Sequence, residues 1–165
     1  METNLASPLV LHIEDDDGDA HLVVRSLSQG SIPVRISRAS DGKEALDFLA
    51  AIESRESEAP GLILLDLKLP FLSGKEILIH IRSRENIREL PVVIFTSSDA
   101  AEDIVACEDG GCNEYVVKPI EYSEFRSTVD SICKRYFGST VDAEPNAVSE
   151  STLPDSEEPE LLAAV

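Results

Sequence analysis

Basic residues, cysteines and long apolar runs are scarce in this chain, and each scarcity excludes a class of protein. The 165 residues include 14 lysines and arginines against 32 aspartates and glutamates, and the net charge of −18 excludes the clustered basic face of a nucleic-acid-binding protein. The three cysteines are odd in number and form no C-x-x-C pair, which favours reduced thiols over disulfides or a zinc site. No apolar stretch approaches the roughly 20 residues of a membrane span, and the amino terminus lacks the basic and apolar regions of a signal peptide. We therefore expect a cytoplasmic protein that binds neither nucleic acid nor membrane.

The acidic residues are distributed in a way that predicts one folded domain with tails. From residue 139 onward the chain has seven acids, three prolines and no base, a composition that cannot bury enough apolar surface to fold alone. We predict an N-terminal tail over residues 1–7, a folded domain over 8–137 and an acidic, disordered tail over 138–165.

Hydrophobic periodicity within the folded part predicts five alternations of strand and helix. Three continuous apolar runs are typical of buried parallel strands, and two shorter segments indicate the remaining strands. The five segments are 9–13, 34–37, 62–65, 91–96 and 115–117. Capping-box spacing at Ser73/Glu76 and at Asp99/Glu102 predicts two helix starts. Alternation on this scale predicts an α/β fold with one doubly wound parallel sheet in the flavodoxin-like order 2-1-3-4-5.

Charged side chains follow the predicted strands where the strands end. Glu14 and Asp15 follow the first strand and Asp66 follows the third. Because parallel strands end at the same edge of a sheet, these three carboxylates should lie in one crevice. They would repel one another unless a divalent cation neutralised them, which predicts a magnesium site.

Together with Thr96 after the fourth strand and Lys118-Pro119 after the fifth, these residues resemble the receiver domains of two-component response regulators, which are CheY-like in fold. The resemblance covers about residues 8–137. It implies a signalling protein that is not an enzyme in its own right but assists its own phosphorylation and dephosphorylation.

The resemblance also implies a role for each matching residue. Asp66 is the phosphoacceptor, Glu14 and Asp15 hold Mg²⁺ with Asp66, and the backbone carbonyl of Lys68 is a further ligand. Lys118 pairs with Asp66 and then with the phosphate, Thr96 is the switch residue whose hydroxyl binds a phosphoryl oxygen, and Tyr115 is the signalling aromatic. By the same resemblance, the bond between Lys118 and Pro119 is cis.

A narrower resemblance is to stand-alone regulators partnered with bacterial phytochrome kinases. It is carried by the Asp-Leu-x-Leu-Pro pattern from Asp66, by Asn113-x-Tyr115 and by the aromatic pair at 136–137. It implies a histidine kinase as phosphodonor, output through a downstream protein or phosphotransfer partner, and a homodimer.

Three alternatives compete with the signalling function. A haloacid-dehalogenase-type phosphatase needs a second acid two residues after its nucleophile, where this chain has Lys68. A flavodoxin-like cofactor binder would need a phosphate loop where this chain has four consecutive acids over 14–17. A pseudo-receiver that signals by binding alone is a further alternative.

Overall fold

The computed structural model describes residues 7–138, which form five strand–helix pairs around one sheet. The strands are β1 (Leu9–Ile13), β2 (Arg35–Ala39), β3 (Leu62–Leu65), β4 (Val92–Thr96) and β5 (Glu114–Val117). The helices are α1 (Asp17–Ser28), α2 (Gly42–Glu53), α3 (Gly74–Ser83), α4 (Ala101–Asp109) and α5 (Tyr122–Cys133), and a π-helical turn (Lys134–Gly138) follows α5. All four strand pairings are parallel and the strand order is 2-1-3-4-5, so the predicted doubly wound α/β fold is confirmed. The two predicted tails lie almost wholly outside the described residues.

The central strands are buried on both faces, which explains why they are continuous apolar runs. One face packs against α2, α3 and α4 through side chains such as Leu11 and Ile63. The other face packs against α1 and α5 through side chains such as Val10 and Leu62. Burial on both faces fixes the register of these strands and therefore the positions of the polar residues at their ends. Within residues 7–138, no helix combines the length and the hydrophobicity that crossing a bilayer requires.

Acidic and hydroxyl side chains cap the first three helices. Asp16 caps α1 and Asp41 caps α2, each accepting a hydrogen bond from a first-turn amide. At α3, Ser73 and Glu76 form the reciprocal capping box that their spacing predicts. These caps satisfy amides that have no partner inside the helix.

The second predicted capping box, at Asp99 and Glu102, is wrong. Helix α4 begins after Ala100, which makes no side-chain cap, so Asp99 lies outside the helix. The loop is organised by Ser98 instead, whose hydroxyl donates to Asp103 and accepts from the amide of Ala100 at 3.3 Å. The Ser98 hydroxyl thus connects the residue before α4 to the first turn of the helix, without binding the first-turn amides as a cap would.

Helix α3 starts unusually close to the end of β3. The Gly74 amide donates to the Leu67 carbonyl at 2.9 Å. A Cβ atom at Gly74 would lie only 2.2 Å from the carbonyl oxygen of Asp66. The absence of a side chain at this position therefore lets the helix pack against the backbone of Asp66.

Candidate functional site

Three carboxylates meet at the carboxyl ends of β1 and β3. The two strands are neighbours, with Ile13 opposite Leu65, so Glu14 and Asp66 leave the sheet side by side. Glu14 is fully buried, Asp66 is 7% exposed and Asp15 is exposed. Each of the three carboxylates offers an oxygen, and these oxygens all lie within 4.8 Å of one another. The predicted acidic cluster is therefore assembled in the fold.

The ammonium group of Lys118 lies against this cluster. Lys118 follows β5, and its Nζ donates to Glu14 Oε1 at 2.7 Å and to Asp66 Oδ2 at 3.3 Å. A third bond, to Asp19 Oδ2, is also 2.7 Å long. The Lys118 side chain is only 7% exposed, so these contacts are largely shielded from water.

Burial and charge shift the ionisation of the groups around the cluster. The pKa of Glu14 is raised to about 7: burial raises it most, the hydrogen bond from Lys118 opposes the shift, and the charge of Asp66 adds to it. Burial alone would lower the pKa of Lys118, but its hydrogen bonds to Asp19 and Glu14 raise the pKa above the ordinary value. The pKa of His12, buried beneath the cluster, falls to about 3 because of burial and the nearby charges of Lys118 and Arg38.

The Asp66 carboxylate has two differently occupied oxygens. Its Oδ1 accepts from the Leu67 amide at 2.7 Å, while Oδ2 faces the ammonium of Lys118. The local hydrogen bond orients this carboxylate, which is itself almost fully buried. An oriented, partly desolvated carboxylate beside a cation is suited to attack an electrophile.

The donor set fits a hard divalent cation. The three clustered groups offer only carboxylate oxygens, which Mg²⁺ and Mn²⁺ bind readily. Three carboxylates, including Asp19, contact a single ammonium and Asp15 lies in the same cluster, so the crevice keeps an excess of negative charge. The sequence also predicts the Lys68 carbonyl as a ligand; Lys68 lies two residues beyond Asp66 with an exposed side chain, and this role stays a prediction.

The predicted switch residues lie beside the cluster without joining it. Thr96 is fully buried at the end of β4, and its hydroxyl accepts a long hydrogen bond (3.4 Å) from the Ser98 amide. Tyr115 on β5 packs against the core beneath α4, and its hydroxyl donates to the Ser98 carbonyl at 2.9 Å. Both residues thus contact the loop between β4 and α4.

Two site expectations need correction or addition. No peptide bond among residues 7–138 is cis, so the prediction of a cis bond before Pro119 is wrong: Lys118 reaches the carboxylates with a trans bond, its own amide donating to the Thr96 carbonyl at 2.7 Å. Asp19, whose carboxylate binds Lys118, is a further site residue that the sequence analysis does not single out. The missed signal is its place in the first turn of a helix that begins where β1 ends, at the same sheet edge.

Comparison with known proteins agrees with this arrangement. The family model described as the response regulator receiver domain matches residues 10–130. The chain therefore belongs to the response regulator receiver family.

Its similarity to individual members is moderate but covers most of both chains. It is 33% identical over 130 residues to the "Probable methanogenesis regulatory protein FilR2" of Methanothrix harundinacea, covering 79% of this chain and 84% of FilR2. It is 32% identical over 125 residues to the response regulator Rcp1 of Synechocystis sp., covering 75% of this chain and 85% of Rcp1. Among solved structures, the phosphorylated cyanobacterial phytochrome response regulator RcpA has a TM-score of 0.75 at 29% identity, covering 81% and 96% of the two chains. The Mn²⁺-bound form of Rcp1 has a TM-score of 0.71 at 31% identity, covering 77% and 92%.

Proposed function

We propose that this receiver domain accepts a phosphoryl group on Asp66 and signals through contacts with other proteins. The observation that carries the proposal is the Asp66 carboxylate itself. It is held by its own loop amide, faces Lys118 at 3.3 Å, and lies within a cluster of oxygen ligands. This combination supplies a nucleophile, a cation for the transferred group and a place for a metal ion.

In the proposed reaction an Asp66 oxygen attacks the phosphorus of a phosphodonor. A new O–P bond forms as the bond between phosphorus and the leaving group of the donor breaks, and the leaving group departs with that electron pair. Lys118 is placed to neutralise charge on the phosphoryl oxygens because its ammonium already faces Asp66. The Thr96 hydroxyl lies at the end of the neighbouring strand β4, where it would bind a phosphoryl oxygen.

A magnesium ion would be held by Glu14, Asp15 and Asp66, with the Lys68 carbonyl as a further ligand. When bound, such an ion neutralises negative charge on the phosphoryl group during transfer. The three carboxylates would bind such an ion, and the buried Glu14 also accepts a hydrogen bond from Lys118. The Mn²⁺-bound form of the similar protein Rcp1 supports a divalent cation at such a site.

The proposed output uses Thr96 and Tyr115. A phosphoryl group adds close to two negative charges at the strand ends. If Thr96 turns toward that charge, its contact with the Ser98 amide is lost, and Ser98 also holds the Tyr115 hydroxyl. The loop between β4 and α4 therefore couples the phosphorylation site to the surface formed by α4, β5 and α5.

A sensor histidine kinase is the proposed phosphodonor. Similarity to RcpA, a phytochrome response regulator, supports a phytochrome kinase as one candidate, whereas FilR2 is described as a probable methanogenesis regulatory protein. A homodimer, a downstream protein or phosphotransfer partner, and the cytoplasmic location stay predictions, as do the domain limits of 8–137.

The test is intact-mass spectrometry after incubation with acetyl phosphate, with and without Mg²⁺. The wild-type protein should gain one phosphoryl group only when Mg²⁺ is present, and Asp66→Asn should gain none. Asp47→Asn is the matched control because it makes the same change on an exposed face of α2. A wild-type protein that stays unmodified in all conditions would contradict the proposal and favour a pseudo-receiver that signals by binding alone.

A further inference from the structure

All three N–H donors of the Lys118 ammonium are used by carboxylates. The ammonium carries three N–H groups, and it contacts three carboxylates: Glu14 at 2.7 Å, Asp19 at 2.7 Å and Asp66 at 3.3 Å. The bond to Asp66 is the longest of the three. One N–H already faces Asp66, so Lys118 can give a phosphoryl group on Asp66 a second hydrogen bond only by releasing Glu14 or Asp19.

Asp19 is not used for capping, although it occupies the position from which a capping box is built. Glu76, at the corresponding position of α3, returns to the amide of its N-cap residue at 3.0 Å. In α1 the amide of Asp16 donates to Glu14 Oε2 at 3.2 Å instead. The Asp19 amide donates to the side chain of the N-cap residue Asp16, whereas the Asp19 carboxylate accepts from Lys118.

Glu14 and Asp19 differ in how easily they can release Lys118. The Glu14 side chain is 1% exposed, so losing its cation would leave a buried charge without a partner. The Asp19 side chain is 35% exposed, so water can replace the ammonium there at a much smaller cost. The hydrogen bond between Lys118 and Asp19 is therefore the one that should break.

We propose that Asp19 is a positioning residue that competes with the phosphoryl group for Lys118 and so restrains phosphorylation of Asp66. The proposal rests on the proposed function. In the resting protein Asp19 holds the ammonium toward α1 and cancels part of its charge. A second hydrogen bond from Lys118 to the phosphoryl group must displace Asp19, and removing the Asp19 charge should make that step easier.

The experiment compares Asp19→Asn with Asp17→Asn. Both substitutions remove one acid from the first turn of α1, so both remove a charge that interacts favourably with the amino-terminal end of the helix. Asp17 is 93% exposed and pairs with Arg38, not with Lys118. The rate of phosphorylation by acetyl phosphate with Mg²⁺ is measured for each variant, and the affinity for beryllofluoride, a phosphoryl mimic, is measured by ¹⁹F NMR.

Asp19→Asn should phosphorylate about threefold faster or more, as expected for a charge removed within a few ångströms of the reacting group. It should also bind beryllofluoride more tightly by a similar factor. Asp17→Asn should match the wild type in both measurements. Asp19→Glu, which keeps the charge, should stay closer to the wild type than Asp19→Asn does.

Two results would overturn the proposal. If Asp19→Asn and Asp17→Asn behave alike, Asp19 acts only as a helix-start charge. If Asp19→Asn is slower than the wild type, Asp19 assists the reaction rather than restraining it. If the wild-type protein itself is not phosphorylated, the proposed function and this inference are both refuted. That outcome differs from the two results above, in which the wild type is phosphorylated and only the role of Asp19 is refuted.

Discussion

Replacing Gly74 with alanine should displace Asp66, because the added methyl group has no space. It would lie 2.2 Å from the Asp66 carbonyl oxygen and 2.8 Å from the Leu67 Cα atom, where ordinary contact begins at 3.4 Å. Both neighbours are backbone atoms, so no side chain can rotate away. The start of α3 and the end of β3 must therefore separate by roughly 1 Å in an interior that is close-packed.

The expected cost appears in both stability and chemistry. Overpacking of a core typically costs about 1–3 kcal/mol, and a backbone clash should lie at the upper end of that range. Alanine has a higher intrinsic helix propensity than glycine, so any destabilisation runs against intrinsic propensity. A shift of Asp66 by about 1 Å can slow phosphorylation by about 100-fold.

The assay is urea unfolding together with the rate of phosphorylation by acetyl phosphate. Gly138→Ala is the matched control, because a Cβ atom there meets nothing closer than 3.7 Å. We expect Gly74→Ala to lose about 3 kcal/mol and most of its activity, while Gly138→Ala loses neither. A Gly74→Ala protein as stable and as active as the wild type would refute the close approach of α3 to Asp66.

Three further substitutions test the charges and hydrogen bonds around the fold. Lys118→Met should lower the free energy of unfolding by about 3 kcal/mol in the absence of Mg²⁺, because it leaves the buried Glu14 without its partner. The control is Lys75→Met, which removes a half-exposed ion pair and should lower the free energy of unfolding by less than about 1 kcal/mol. The pKa of His12 is lowered from 6.5 to about 3 in the folded protein. As the pH falls below about 6.5, the histidine is protonated in the unfolded chain but stays neutral in the folded protein, so its contribution to the free energy of unfolding falls by about 1.4 kcal/mol per pH unit. His12→Leu should remove that part of the acid sensitivity in urea titrations between about pH 6.5 and 4.5. Asn113→Ala should cost about 1–2 kcal/mol in the same titration, because its side-chain oxygen accepts from the Val92 amide at 2.8 Å and from Arg82 at 2.9 Å.

Each of these predictions has a contradicting outcome. Equal losses for Lys118→Met and Lys75→Met would show that the site ammonium is hydrated rather than buried. A wild-type curve that falls with acid no faster than that of His12→Leu would contradict a buried neutral histidine. Asn86→Ala, on an exposed residue, is the control for Asn113→Ala, and matching losses would contradict the structural role of Asn113.

The sequence predicted the fold and the acidic cluster because both follow from strand burial. Strands that are buried on both faces have continuous apolar sequences. The first polar residue after each such sequence lies at the edge of the sheet, as Glu14 and Asp66 do. The capping box at Ser73 was predictable for a similar reason, since its bonds are local in sequence.

The remaining features depend on contacts between residues distant in sequence. The start of α4 is set by Ser98 and its partner Asp103, which itself pairs with Lys75 on α3, so local spacing at Asp99 was misleading. The bond from Asp19 to Lys118 joins residues 99 positions apart, and only the packed fold brings them together.

The central claim, that Asp66 becomes an aspartyl phosphate, is tested most directly by locating the modified residue. Wild-type protein treated with acetyl phosphate and Mg²⁺ is reduced with borohydride, which converts an aspartyl phosphate to homoserine, and the peptides are sequenced by mass spectrometry. Phosphorylation of Asp66 should give homoserine at position 66, and this product should be lost when Mg²⁺ is removed. Homoserine at another acidic residue, or at none, would show that Asp66 is not the phosphoacceptor.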